Sequence, residues 1–335
     1  MVVDMSTLSE PVFITHCQHL ALFSVTGADA RSFLQSQLTQ DVSKITPRQA
    51  ALAGFCTAQG RLWANMLLTE TNPDDAIVGV ASADLLESFL KRLRMFVLRS
   101  KVTISPVADR MILGVELEPA ALAAMSAQLG CELPQEPFAS ADTASGCWIR
   151  VPADQDAMAR LLWLANEQQY AQVLLAIGEH AMVLSESNAW RVNDIKAGLA
   201  WVHAATQDLF IAQTLNLDLI GGVSFTKGCY PGQEVIARAH YRGTVKRRMH
   251  LASVVGQAQD LQAGMDVFEV NEPDNPVGRL INIASEHSSP DAASERQWAL
   301  FEAPFKTLEG PALRAGSPTG PELHVQALPY ELQPQ

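Results

Sequence analysis

From about residue 245 the chain breaks into short alternating segments, MHLASVV, MDVFEV, VGRLINIAS, QWALFEA and LHVQALPY, separated by Gly, Pro, Asn and Asp turns. A period of two gives each segment one face for a core and one for solvent, which is the signature of a small antiparallel barrel or sandwich. Residues 246–335 are therefore expected to form a C-terminal β-barrel domain.

Upstream the period changes. SVTGADARSFLQSQLTQDV reads as a short strand, a turn at Gly27 and a helix with Phe33, Leu34 and Leu38 facing inward. SADLLESFLKRLRMFVL predicts an amphipathic helix over 82–98, with Leu85, Leu86, Phe89, Leu90, Leu93 and Phe96 on its apolar side and Lys91, Arg92 and Arg94 outside. KVTISPV and MILGVEL follow as strands. PAALAAMSAQLG and EQQYAQVLLAIG are helical, while CWIRVP and RLLWLA are strand-like. Helices beside strands thus occur twice, which predicts an α+β fold over residues 1–245 with two subdomains and a boundary near 110–150.

With 335 residues, 48% of them hydrophobic, the chain can bury a large core in two or three domains. The start, MVVDMSTLSEPVF, lacks a basic segment followed by an apolar one, and no run reaches the length of a membrane helix, so the expected location is cytoplasmic. The five cysteines, at 17, 56, 131, 147 and 229, form no CxxC pair and, outside HCQH at 16–19, no Cys/His group, which argues against a disulfide framework and a metal site. The formal charge of −12 excludes a general nucleic-acid binder. Between Lys227 and His250, however, six cations (Lys227, Arg238, Arg242, Lys246, Arg247, Arg248) face one acid, Glu234, so this stretch carries +5 and the remainder −17. An anionic ligand is drawn here, unless the stretch is a solvated basic face.

The octapeptide KGCYPGQE, residues 227–234, lies at the start of that stretch. A thiolate is the reactive form of cysteine and a neighbouring cation favours it, so Lys227 is expected to activate Cys229. Gly228 and Gly232 bracket the thiol and let the backbone present it outward. Pro231-Gly232 is a turn pair, after which a helix runs from Gln233 through Ala239, with Glu234 and Arg238 spaced for an ion pair of about 0.2–0.5 kcal/mol. No histidine lies close by for a Cys-His hydrolase. Nor is GGVSFTKG a phosphate loop, because Lys227 follows threonine and precedes glycine.

FIAQTLNLDLIGGVSFTKGCYPGQEVIAR with YRGTVKRR, supported by GADARSFLQSQLTQDV and AQGRL, closely resembles the YgfZ family of folate-binding proteins, which look like relatives of the glycine-cleavage T-protein, an aminomethyltransferase. The resemblance implies an aminomethyltransferase-like folate-binding fold, with two α+β units and a C-terminal barrel around a folate channel. It also implies tetrahydrofolate or a related reduced folate as cofactor, and a role in iron–sulfur enzyme maintenance and tRNA methylthiolation. The implied partners are iron–sulfur tRNA-modifying enzymes, with direct tRNA contact left open. Cys229 and Lys227 are the implied functional pair; Trp190, Lys227, Gly228, Tyr230, Arg238 and Arg242 are the candidate folate contacts.

Two departures from the transferase pattern stand out. DIKAG carries Lys196 where an acidic residue is expected to face the pterin. TAQGRLWANMLLT, residues 57–69, contains no Asp or Glu where a carboxylate is expected to handle protons at the folate nitrogen. An accessory folate-binding protein is therefore expected ahead of a one-carbon transferase, with a folate-independent RNA-binding module third.

Overall fold

The computed structural model describes residues 10–71, 76–154, 158–178, 182–243, 245–255, 260–286 and 296–332. The chain divides into two compact units that interleave along the sequence: residues 1–33, 42–51 and 67–190 make the first, and 34–41, 52–66 and 191–335 the second.

The α+β part of the chain holds two sheets, the six-stranded one wholly within the first unit. One has six strands in the order β11 (Met182–Ser185), β1 (Val12–His16), β7 (Met111–Leu117), β10 (Ala159–Ala165), β9 (Gly146–Arg150), β8 (Ser140–Thr143). Its pairings are antiparallel except for β1 with β11, which is parallel. Its strands bury Val115, Leu161 and Leu113 with the stacked rings of Trp148 and Trp163, whose centroids are 4.6 Å apart. Helices α3 (Ala121–Leu129) and α4 (Glu167–Ile177) contribute Met125 and Val173 to the same core. The N-terminus of α4 is closed by Asn166 and Gln169, a reciprocal pair that satisfies two otherwise orphaned backbone donors.

The other sheet runs β3 (Ala51–Cys56), β4 (Leu62–Thr71), β5 (Ala76–Ser82), β2 (Leu20–Thr26), β6 (Thr103–Val107). The expected strand, turn and helix at its start are present: β2, Gly27 at φ 109°, and α1 (Ala30–Gln37). The second helix is shorter than its pattern. It spans α2 (Leu86–Arg94), so Phe96 falls beyond its end and is 40% exposed instead of packed. Arg94, expected outside, turns back to donate to the Ile104 carbonyl at 2.8 Å.

The second unit contains the expected barrel, closed by six antiparallel strands in the order β12 (Arg247–Val255), β15 (Arg296–Pro304), β14 (Pro276–Glu286), β13 (Asp266–Glu269), β16 (Leu313–Ala315), β17 (Glu322–Gln326). Leu280, Phe301, Ala299, Val267 and Leu313 fill it. A register shift between Leu280 and Asn282 adds one residue, Ile281, to β14, and Asn282 resumes the ladder opposite Leu300. The remaining helices are α5 (Ser187–Lys196) and α6 (Gln233–Tyr241). Among the described residues, no helix is long and apolar enough to cross a membrane.

Within the first unit, Gly114 of β7 lies under the Trp190 ring: a Cβ there would sit 2.2 Å from Cε3. Gly114→Ala is expected to cost about 1–3 kcal/mol of stability through overpacking, read by urea unfolding; an unchanged midpoint would refute the tight seat assigned to Trp190.

Candidate functional site

Three stretches that are far apart in sequence meet beneath the octapeptide, all in the second unit. Lys227 is only 9% exposed. Its ammonium donates to the carbonyls of Gln35 and Leu38, the latter at 2.6 Å, and lies 5.1 Å from the Tyr230 ring centroid. These carbonyls belong to the end of α1, where the last turn has no intrahelical donors and the helix dipole favours a cation. Next to them, the Thr39 hydroxyl donates to the Gly222 carbonyl and accepts from the Gly54 N–H, both at 2.7 Å, while the Ser224 N–H donates to the Thr39 carbonyl. Residues 222–227 are thereby fastened to residues 35–39.

The other side of the loop is fastened by glycines. Gly232 starts α6 at φ 81°, and a Cβ on it would lie 2.5 Å from the Thr57 carbonyl oxygen and 2.6 Å from the Gly60 Cα. Gly60 itself has φ 74° and packs against Val235. Two turns, TAQG and PGQE, thus interlock at a spacing that only glycine allows. Gly228 differs from the expectation: it has no positive φ, and a Cβ there would meet nothing within 4 Å. The loop needs Gly232, while Gly228 answers no steric demand.

Cys229 stands exposed at the apex of this held turn. Cys17, Cys56 and Cys147 are buried, and desolvation pushes the thiols of Cys56 and Cys147 up to about 12. Tyr230, beside Cys229, is buried, and its phenol is pushed up by that burial and by Cys56. The expected pairing of Lys227 with the thiol takes another form. The ammonium is bound to two carbonyls and a ring, and the Cys229 sulfur is not among its partners. Lys227 holds the loop from within.

The six cations of the basic stretch separate by role. Lys227 is buried. Arg248 is buried and forms a two-pronged pair with Asp218 at 2.6 and 3.0 Å. Arg247 grips Glu302 at 2.6 and 2.9 Å. Arg238, Arg242 and Lys246 are exposed, and no described ion pair involves them; the pair expected between Glu234 and Arg238 does not form.

Trp190 belongs to the first unit and is 1% exposed. The Arg160 guanidinium lies 4.1 Å from its ring centroid and Gly114 is pressed against it, so the ring is a core side chain with protein against it. Lys196, in the second unit, is neutralised by Glu286 at 2.6 Å and lies 4.6 Å from the Trp298 ring centroid. Trp298 Nε1 also donates to Glu286 at 3.0 Å. Burial pushes the Glu286 carboxyl up, but the hydrogen bonds from Lys196 and Trp298 outweigh it and hold the group below its ordinary range. Glu286 lies 90 residues from Lys196, and nothing in the local sequence announces the pairing. On β4, Asn65 is buried; its amide donates to the Ala200 carbonyl and accepts from the Val202 N–H, both at 2.7 Å. Asn282 does the same for both backbone groups of Trp201, at 3.0 and 2.9 Å.

Comparison with protein-family models finds no match. The chain is 34% identical over 327 residues to the tRNA-modifying protein YgfZ of Escherichia coli strain SE11, covering 96% of this chain and 94% of that one. It has the same identity and coverage with the tRNA-modifying protein YgfZ of Shigella boydii serotype 18. Among solved structures, the glycine cleavage system aminomethyltransferase T from Bartonella henselae matches 96% of this chain and 86% of its own, with a TM-score of 0.71 at 16% identity. The fold is that of the aminomethyltransferase.

The seat of Lys227 has a measurable consequence. Desolvation lowers its pKa from 10.5 to about 8, with Asp41 opposing. Between those values the unfolded chain holds a proton that the folded chain has released, so stability rises with pH across the window. Lys227→Met is expected to cost about 1–3 kcal/mol near neutral pH through loss of the donor to the two carbonyls. The gap to the parent should widen as pH rises from about 8 toward 10.5. A gap that stays flat or narrows in chemical-denaturation series would contradict this seat.

Proposed function

The chain belongs to the YgfZ family of tRNA-modifying proteins, and on that premise we propose that it is a folate-binding accessory protein which supports iron–sulfur enzymes in tRNA methylthiolation through the loop at residues 227–234. The observation that carries this reading is the exposed Cys229 thiol at the apex of a turn locked by Lys227 from one side and Gly232 from the other. Such a turn presents sulfur in a fixed position for redox or sulfur-linked chemistry or for binding. In this reading Cys229 is the residue that acts, and Lys227, Tyr230 and Gly232 position it.

A reduced folate would carry a one-carbon unit on its pterin nitrogens. The amide-like pterin edge needs an acceptor, and Glu286, held ionised by Lys196 and Trp298, offers one where Lys196 alone would repel a donor-rich edge. Trp298 adds a ring of the kind a flat heterocycle packs against. The folate contact expected of Trp190 thus passes, in this proposal, to Glu286 and Trp298. Arg238 and Arg242 are cations left available for an anion. Glu286→Gln is expected to weaken tetrahydrofolate binding about tenfold or more in a fluorescence titration, while the fold, followed by circular dichroism, stays intact; equal affinity would remove Glu286 from the folate site.

The second reading, aminomethyl transfer, is opposed by Asn65 and the lack of any carboxylate over 57–69. No transfer from a lipoyl-carrier donor is expected, and turnover on the order of 1 per second or more would promote that reading.

The main test is genetic. In cells lacking their own copy, Cys229→Ser should fail to restore methylthiolated tRNA, measured by mass spectrometry of digested tRNA, although it folds as the parent does. In the parent, iodoacetamide should label Cys229 ahead of the buried Cys17, Cys56 and Cys147. Full restoration by Cys229→Ser would leave the thiol without a function.

A further inference from the structure

We infer that the outer face of α6 is a binding site for an unpaired RNA segment, with bases stacking on Tyr241 and phosphates held by Arg238, Arg242 and Lys246. The inference deepens the proposed function and rests on it, since it names the partner of the same loop and helix.

The cations come first. The three that remain after Lys227, Arg247 and Arg248 are committed all lie at or just beyond α6, and Arg238 and Arg242 stand one turn apart, on one side of the helix and its end. The rest of the chain carries a strong negative excess, so an anion that approaches this protein is repelled broadly and attracted locally. That favours a short, register-specific contact over general nucleic-acid binding.

The ring comes second. Tyr241 is 66% exposed, an unusual position for a large aromatic side chain that contributes nothing to a core. It is held rather than loose: His240 stacks on Phe225 with centroids 3.7 Å apart, and both rings meet Tyr241 edge-on, at 4.7 and 6.1 Å. A depression of about 460 Å³ on this face is lined by Glu234, Ala237, Arg238, Tyr241 and Arg242. An exposed, braced aromatic ring between arginines is the arrangement by which proteins take single-stranded nucleic acid, the ring receiving a base and the cations its flanking phosphates.

The alternative anion is the glutamate tail of a folate. It would use the arginines equally well but has no ring to lay on Tyr241. Glu234 on the same face also disfavours a chain of carboxylates, while it can accept from a base amino group.

The test is fluorescence anisotropy with a 5′-labelled RNA hairpin bearing a seven-nucleotide unpaired loop, with a fully paired RNA duplex and pentaglutamyl tetrahydrofolate as competitors. With about three phosphate contacts, the logarithm of affinity should fall with the logarithm of salt with a slope of about −2, and in Arg238→Glu/Arg242→Glu the slope should drop to about −1 or less. Tyr241→Ala should weaken hairpin binding about fivefold or more with the slope unchanged, and Tyr241→Phe should restore it. Lys306→Glu, an exposed cation elsewhere, should change neither. Equal hairpin affinity in the parent and in both α6 variants overturns the inference, as does displacement by the folate pentaglutamate but not by unlabelled hairpin. Should Cys229→Ser abolish tRNA methylthiolation while the α6 variants leave RNA affinity untouched, the inference fails and the proposed function stands. Should the α6 variants lose RNA while Cys229→Ser complements fully, the RNA site stands and the role of the thiol falls.

Discussion

A single ammonium group organises the loop at residues 227–234. Placing the Lys227 charge where water is largely excluded is unfavourable unless donors are matched by acceptors. The acceptors here are backbone carbonyls at the end of α1, where the last turn lacks intrahelical donors. Each side thus satisfies a need of the other, and the match links residue 227 to residues 35 and 38, which lie 192 and 189 positions away. On that anchor Tyr230 packs, Gly232 turns against Gly60, and α6 is launched. The exposed Cys229 lies between two fixed points, so its position is set by groups it does not touch.

The same logic redistributes the charge. A run of six cations over 24 residues, read as a list, looks like one basic surface. Folded, it is three kinds of object: a buried anchor, two arginines whose flat guanidinium groups grip Asp218 and Glu302, and three exposed cations. The buried Arg248–Asp218 pair adds little net stability, because desolvation offsets most of its attraction, but losing one partner would leave a charge stranded. What remains available to a ligand is decided by these carboxylates, one just upstream of the octapeptide and the other far downstream on β15.

The barrel, α1 and α6 were legible in the sequence because each has a local signature: a period of two between turn residues, an apolar stripe at helical spacing, a Pro-Gly pair before a helix. Phe96 misled because the apolar stripe continues past Arg94, where the helix ends. Trp190 is ambiguous in another way. An aromatic side chain at that place is compatible with a ligand or with a core, and what decides is Gly114 on β7 and Arg160 on β10, which no local pattern brings together. Glu286 could not be found for the same reason: its partner Lys196 lies on α5, and only barrel closure makes them neighbours. Gly60 and Gly232 are intermediate. Each is recognisable alone as a turn glycine, but that they need each other's lack of a side chain is visible only in three dimensions.

Within residues 57–69, Asn65 has a structural reason to be an amide and not a carboxylate. Its side chain must give a proton to the Ala200 carbonyl and receive one from the Val202 N–H, both at 2.7 Å. An amide does both; an ionised carboxylate only accepts, and would set one oxygen against the Ala200 carbonyl. Asn282, which follows the added residue in β14, makes the same two-way bond to Trp201 from another strand. Residues 200–202 are therefore held by two asparagines acting as surrogate backbone, and the position is committed to architecture. A chain that keeps this clamp cannot also keep an ionised acid at residue 65.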